Sequence, residues 1–126
     1  MNFKEYYITD KDGKSNCIIR SFCKLFNKEY DVVLGELNKI TEELCYDSFT
    51  EVEVFETYLT EHGMNSIDYG WEVKVKDLEL EKGEYAIFCW DKKDYYHMVC
   101  VIDDTLYDRD DKCLDLYTIS IYKKEV

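Results

Sequence analysis

The hydrophobic positions in the first half of the chain recur every three or four residues, which is the spacing of amphipathic helices. A first helix is predicted to follow the polar residues Ser15 and Asn16 and to end at Asn27. Its buried face is formed by Ile18, Phe22, Leu25 and Phe26. The thiol of Cys17 therefore lies where this helix begins.

Two further helices are expected before residue 64. Asp31 is a favourable N-cap for a short second helix that buries Val33, Leu34, Leu37 and Ile40. Residues 50–53 match a capping box and predict a third helix that ends at residues 62–63. Its inward positions are Val52, Phe55 and Leu59.

The second half of the chain changes to the period of two that is typical of strands. Residues 85–90 predict a central strand, and residues 98–102 and 106–107 flank a tight turn at Asp103 and Asp104. A last strand alternates through Tyr117, Ile119 and Ile121, and residues 71–75 indicate one more. Helices followed by strands predict an α+β fold, with N-terminal helices packed on a C-terminal antiparallel β-sheet.

Composition narrows the function classes. A length of 126 residues with 46% hydrophobic content favours one folded domain, residues 1–126. The net charge of −12 disfavours direct nucleic-acid binding and is compatible with a basic protein partner. No secretory signal or membrane span is recognisable, so a cytoplasmic protein with reduced thiols is expected. The six cysteines and two histidines lack zinc-site spacing, so no metal or other cofactor is expected.

Cys17 has two interpretations. A thiol at a helix N-terminus has a lowered pKa, because the positive end of the helix dipole favours the thiolate. It is then a candidate nucleophile. Alternatively, Cys17 is a small core residue of the first helix, since free cysteine is among the most buried residue types.

His97 is the candidate general base. The other histidine, His62, is interpreted as a cation near a helix C-terminus. If Asp103 and Asp104 form a two-residue turn, Asp110 lies opposite His97 and Asp108 is its diagonal neighbour. Either carboxylate could orient the imidazole ring. The alternative is a histidine at a strand entry beside a solvated acidic loop.

Two parts of the chain together resemble small papain-like (clan CA) cysteine peptidases of bacteria and phages. In residues 15–22 and 28–33, an Asn-Cys pair opens a helix bearing an Arg, and a helix led by Tyr follows. The second part comprises residues 75–78, 82–85, 97–104 and 106–108. There a strand, a strand led by His, a tight turn and an Asp eleven residues after the His follow one another. Residues 41–70 carry no matching motif.

The resemblance implies a papain-like fold and a triad of Cys17, His97 and Asp108. It further implies that His97 deprotonates Cys17, that the thiolate attacks an amide or related acyl carbon, and that water releases the acyl-enzyme. Papain-like enzymes typically use a Gln upstream of the nucleophile as an oxyanion donor, and this chain contains no Gln. The Cys17 backbone N–H and the Asn16 side chain are expected to take that role.

The expected function is therefore a papain-like cysteine hydrolase acting on a peptide or protein substrate, with basic substrates favoured by the acidic charge. The alternative is a non-catalytic acidic interaction or inhibitor protein on the same fold. Such a protein, for example one encoded by a phage, would bind a basic host protein. A domain with acyl-transfer or deamidation chemistry is a third interpretation.

Overall fold

The helices of the chain precede most of its strands. The computed structural model describes residues 1–8 and 16–125, so the predicted entry residue Ser15 lies outside the described part. Within these residues the fold is α+β, with three helices and one six-stranded sheet. The helices are α1 (Cys17–Phe26), α2 (Tyr30–Glu43) and α3 (Val52–Glu61). The strands are β1 (Asn2–Glu5), β2 (Met64–Ile67), β3 (Glu84–Trp90), β4 (Tyr96–Ile102), β5 (Thr105–Asp108) and β6 (Tyr117–Lys124).

Helix α1 begins and ends where the sequence predicts. Asn16 is its N-cap, and the side-chain Oδ1 accepts a hydrogen bond of 2.9 Å from the Ile18 N–H. Asn27 closes the helix in the left-handed conformation, with φ at 53°, which asparagine tolerates better than most residues. Local capping therefore places Cys17 at the first position of the helix.

The starts of the other helices differ from the prediction. Helix α2 begins at Tyr30, so Asp31 lies in its first turn and is not its N-cap. The predicted capping box at residues 50–53 is also absent, because α3 begins at Val52 after Glu51 without a side-chain cap. The Ser48 hydroxyl instead accepts the Thr50 N–H at 3.1 Å and tightens the turn before α3.

The sheet is mixed, which corrects the expectation of an antiparallel sheet. Its strand order is β1-β5-β4-β3-β6-β2, so β3 is an interior strand as predicted. Four ladders are antiparallel, whereas β1 pairs with β5 in parallel. The two strands that the sequence analysis missed, β1 and β2, have four residues each and lie at the two edges.

The turn between β4 and β5 is the predicted two-residue hairpin turn. Asp103 and Asp104 both have positive φ, 48° and 67°, and their flanking residues Ile102 and Thr105 are paired. The ladder ends at the pair Cys100 and Tyr107, however. The two strands are not paired at positions 97–99, so the predicted extension of this register is wrong.

Two details of the later strands also differ. Residues 71–75 do not form a strand: Lys74 makes one isolated bridge with Tyr117, and a 3₁₀ turn follows at Val75–Asp77. In β6 the pairing with β3 shifts between Phe88 and Cys89. This bulge interrupts the simple alternation predicted for the last strand.

Both faces of the sheet are covered. Met98 and Cys100 of β4 pack with the helices, where the Phe22 and Tyr58 rings stack at 4.9 Å. Val99 and Val101 face the other side, against residues of the 70–80 segment and Cys113. In the described part of the chain, no helix has the length and apolar character needed to cross a membrane.

The surroundings of Gly70 and Gly35 predict opposite changes in stability when each glycine is replaced by alanine. Gly70 has φ at 89°, and an added Cβ would lie 2.8 Å from Leu78 Cδ2 and 2.9 Å from Ile121 Cδ1. Gly70→Ala should reduce the free energy of unfolding by roughly 2–4 kcal/mol. Gly35 lies within α2 in open space, so Gly35→Ala should raise it by about 0.5–1 kcal/mol. Urea unfolding measures both, and equal stabilities would contradict this packing.

Candidate active site

Helix α1 carries the thiol to the end of the sheet where β4 begins. One turn into the helix, the buried Ser21 hydroxyl donates a hydrogen bond of 3.1 Å to the Met98 carbonyl. This bond fixes α1 against β4 beside His97. Cys17 is half-buried at the helix start and lines the same clefts as His97, and the His97 side chain and the Met98 backbone both act to lower the pKa of its thiol.

His97 and Asp108 meet where the β4 and β5 ladder has ended. The imidazole Nε2–H donates to Asp108 Oδ2 at 2.7 Å, and only 9% of His97 and 3% of Asp108 is exposed. Asp110, the alternative partner, instead caps a 3₁₀ turn by accepting the Lys112 N–H at 3.0 Å. The structure thus brings Cys17, His97 and Asp108 together and excludes Asp110 from this contact.

Arg20 completes the surroundings of the carboxylate. Its guanidinium Nη2 donates to Asp108 Oδ1 at 2.7 Å, and the Arg109 backbone N–H donates to the same oxygen at 2.8 Å. Arg20 is 3% exposed and follows Cys17 by three residues, which puts both on one side of α1. No role was assigned to Arg20 from the sequence, although this spacing after Cys17 was a visible signal.

The charges of the site are mutually dependent. Burial favours the neutral thiol, but the hydrogen bond and charge of His97 outweigh it and lower the pKa of Cys17. Burial likewise favours neutral imidazole, but the bonds to Asp108 and Cys17 raise the pKa of His97 to about 9. The pKa of Asp108 is lowered despite burial, chiefly by its bond to His97. The shifts of Cys17 and His97 both favour the charged forms, a thiolate and an imidazolium, over the neutral pair.

The other buried cysteines show the opposite behaviour. Burial raises the pKa of Cys23 to about 11 and that of Cys100 to about 12, and it also raises the pKa values of Cys89 and Cys113. An ordinary core thiol, with a raised pKa, therefore describes these four cysteines better than it describes Cys17.

His62 lies in a separate cluster. Its Nδ1 lies 2.7 Å from the Tyr58 carbonyl, and its Nε2 lies 3.0 Å from the Lys28 ammonium. The position of His62 at the C-terminus of α3 agrees with the prediction.

Two clefts meet at the candidate triad. Both are lined by Asn16, Cys17, Tyr96 and His97. The first, about 500 Å³, is polar and adds Arg20, Tyr95, Arg109, Asp110 and Lys112. The second, about 440 Å³, is more apolar and adds Ile18, Val52, Phe88 and Met98. The sulfur and the imidazole are therefore reachable from two sides.

Tyr95 was not identified from the sequence. Its hydroxyl lies 3.3 Å from His97 Nδ1, and its ring stacks on the imidazole with centroids 5.7 Å apart. Asn16 lines both clefts; its Oδ1 caps α1, and its Nδ2 is the side-chain atom that can donate to a ligand. Across residues 1–8 and 16–125 there is no group of three or more side chains suited to hold a metal ion.

Comparison with known proteins identifies no family for this chain. No family model matches it. Neither a curated protein nor a solved structure matches it significantly. Its chemistry must therefore be inferred from the site itself.

The ion pair between Arg20 and Asp108 predicts a large contribution to stability. Arg20→Met should lower the free energy of unfolding at pH 7 by about 3–5 kcal/mol, because the buried carboxylate then keeps only one of its two cationic partners, His97. The pKa of Asp108 is lowered in the folded protein, so this contribution is present above the unfolded pKa of about 3.9 and is lost as the pH falls further. The difference in free energy of unfolding between the variant and the unmodified protein should therefore decrease as the pH is lowered. Urea titrations at several pH values measure it.

The matched control is Lys76→Met. It removes an ion pair with Asp115 in which both partners are largely exposed, so stability should change little. If Arg20→Met unfolds at the same urea concentration as the unmodified protein, the buried pair has no structural role.

Proposed function

We propose that the protein is a papain-like cysteine hydrolase of the peptidase or amidase type, with Cys17 as nucleophile, His97 as base and Asp108 as its orienting group. The observation that supports this proposal is the convergence of the three side chains in a cleft. They come from α1, β4 and β5, and the imidazole joins a thiol to a carboxylate. The helices-then-sheet arrangement agrees with a papain-like fold.

The hydrogen bonds of His97 support different roles for its two nitrogens in this reaction. Because Nε2–H is bound to Asp108, Nδ1 is the nitrogen that exchanges a proton with Cys17. Asp108 is itself bound by Arg20, so the ring is held in one orientation by a buried ion pair. The carboxylate stabilises the imidazolium without taking its proton.

The proposed reaction proceeds in two halves. The Cys17 thiolate forms a bond to the acyl carbon, and the carbonyl π electrons move to oxygen. The intermediate collapses, the carbon–nitrogen bond breaks, and His97 Nδ1–H protonates the leaving amine to leave a thioester on Cys17. Water then attacks the thioester carbon while neutral His97 accepts a proton from it. The second tetrahedral intermediate collapses, and the carbon–sulfur bond breaks with its electron pair returning to Cys17. The products are a carboxylic acid and an amine, and the thiolate and imidazolium are restored.

The two clefts are compatible with a substrate that extends to both sides of Cys17. One side offers Arg109, Lys112 and Asp110, and the other is mainly apolar. The net charge of −12 favours basic peptides or proteins as substrates. This electrostatic attraction acts at longer range than contacts within the clefts. Such steering weakens as salt rises.

Cys17 should react with iodoacetamide at a pH where ordinary thiols do not. The experiment uses a Cys45→Ser background, because Cys45 is the exposed cysteine. At pH 6, Cys17 should be alkylated at least about tenfold faster than a free thiol of pKa ~8.5. His97→Ala should abolish this advantage, because the thiol then loses the two largest influences that oppose burial, the hydrogen bond and the charge of His97. Peptide mapping by mass spectrometry measures the rates, and equal labelling of both proteins would refute an activated thiol.

The acidic charge favours a second candidate, a protein that binds a basic partner without catalysis. The net charge of −12 is the observation behind it. In that case Cys17→Ala would leave binding to a basic protein unchanged, and no thioester would form on Cys17 with any acyl donor. A thioester detected by mass spectrometry supports the hydrolase, or its acyl-transfer variant, over this candidate.

A further inference from the structure

We propose that the Tyr95 hydroxyl donates a hydrogen bond to the oxyanion formed when Cys17 attacks a carbonyl, which makes Tyr95 a further catalytic residue. This inference rests on the proposed function. An oxyanion needs a hydrogen-bond donor 2.7–3.1 Å from its final position, and one such donor is commonly worth about 10²–10³ in rate. The chain has no glutamine to provide it.

The position of the hydroxyl is the first argument. It lies 3.3 Å from His97 Nδ1. Because Nε2 is bound to Asp108, Nδ1 is the nitrogen proposed to exchange a proton with Cys17. The tyrosine lines the polar cleft together with Cys17 and Asn16. An acyl group on the sulfur is therefore formed beside this hydroxyl.

The turn before β4 holds the tyrosine in place. Asp91 Oδ1 accepts the backbone N–H groups of Lys93, Asp94 and Tyr95 at 2.8, 3.1 and 3.1 Å. The Asp91 N–H also donates to the Tyr95 carbonyl at 3.2 Å. The ring then stacks on His97 at an interplanar angle of 20°. The backbone and the ring are thus positioned before a substrate binds, which an oxyanion donor requires.

The hydroxyl remains a donor under the conditions of the reaction. Burial, together with the negative charges of Cys17 and Asp108, raises the pKa of Tyr95, so its proton is retained at neutral pH. Tyr95 is 52% exposed. With His97 as an imidazolium, Nδ1–H can only donate, so the tyrosine oxygen accepts from Nδ1 and the hydroxyl proton is left to donate to a new acceptor. Asn16 can contribute only Nδ2, so Tyr95 provides the second side-chain donor.

Two reactions of the same sulfur separate oxyanion stabilisation from thiol activation. Alkylation by iodoacetamide displaces iodide and forms no oxyanion. Acylation by p-nitrophenyl acetate passes through a tetrahedral oxyanion, then releases p-nitrophenolate and leaves acetyl on Cys17 as a thioester. In the Cys45→Ser background, Tyr95→Phe should slow acylation by about tenfold or more and leave the alkylation rate unchanged. Release of p-nitrophenolate and the mass of the Cys17 peptide report the two rates.

Tyr46→Phe is the matched control, since it removes a hydroxyl that is bonded to Glu53 and lies outside both clefts. It should change neither rate. If Tyr95→Phe leaves acylation unchanged, or lowers acylation and alkylation in parallel, the oxyanion role is refuted. A different result would refute the hydrolase proposal. In that case, Cys17 in the protein that retains Tyr95 would be alkylated no faster than Cys17 in the His97→Ala variant.

Discussion

The hydrogen bond between the Asp108 carboxylate and the His97 imidazole is the interaction on which the rest of the site depends. The bond to His97 is the main influence that keeps the carboxylate ionised, and Arg20 and the Arg109 backbone N–H support it. The ionised carboxylate raises the pKa of His97, and the charge of His97 lowers the pKa of Cys17. The properties of a thiol at the start of α1 are thus determined by a residue at the end of β5.

A purely structural explanation fits this arrangement poorly. Burying Arg20 and Asp108 costs desolvation energy, and an apolar pair of similar volume is often at least as stable. The pair nevertheless lies where α1 meets β4 and β5 beyond the end of their ladder, and both residues line the polar cleft. Perturbed ionisable groups lining a cleft are typical of functional sites. The same contact also ties residues 88 positions apart, so stability and chemistry share it.

The features that were predicted correctly from the sequence are those that depend on residues close together in the chain. The start of α1 at Cys17, its end at Asn27 and the turn at Asp103 and Asp104 depend on local capping and turn chemistry, and all three were predicted correctly. The choice between Asp108 and Asp110 could not be made, because extending the hairpin register assumed paired strands where the real strands separate. Tyr95 was not predicted because the sequence does not show that its hydroxyl reaches His97, although the turn that positions it is held locally by Asp91. The edge strands β1 and β2 are too short to show a period.

The most direct test of the central claim is the protonation state of His97, measured by ¹⁵N nuclear magnetic resonance. The chain has two histidines, so the His62→Gln variant assigns the signals. At pH 7.5 both His97 nitrogens should carry protons, and the ring should lose one only near pH 9. In Cys17→Ala the ring should titrate at a lower pH, because the thiolate no longer stabilises its charge. A neutral His97 at pH 7.5, titrating near the ordinary value of about 6.5, would contradict the account.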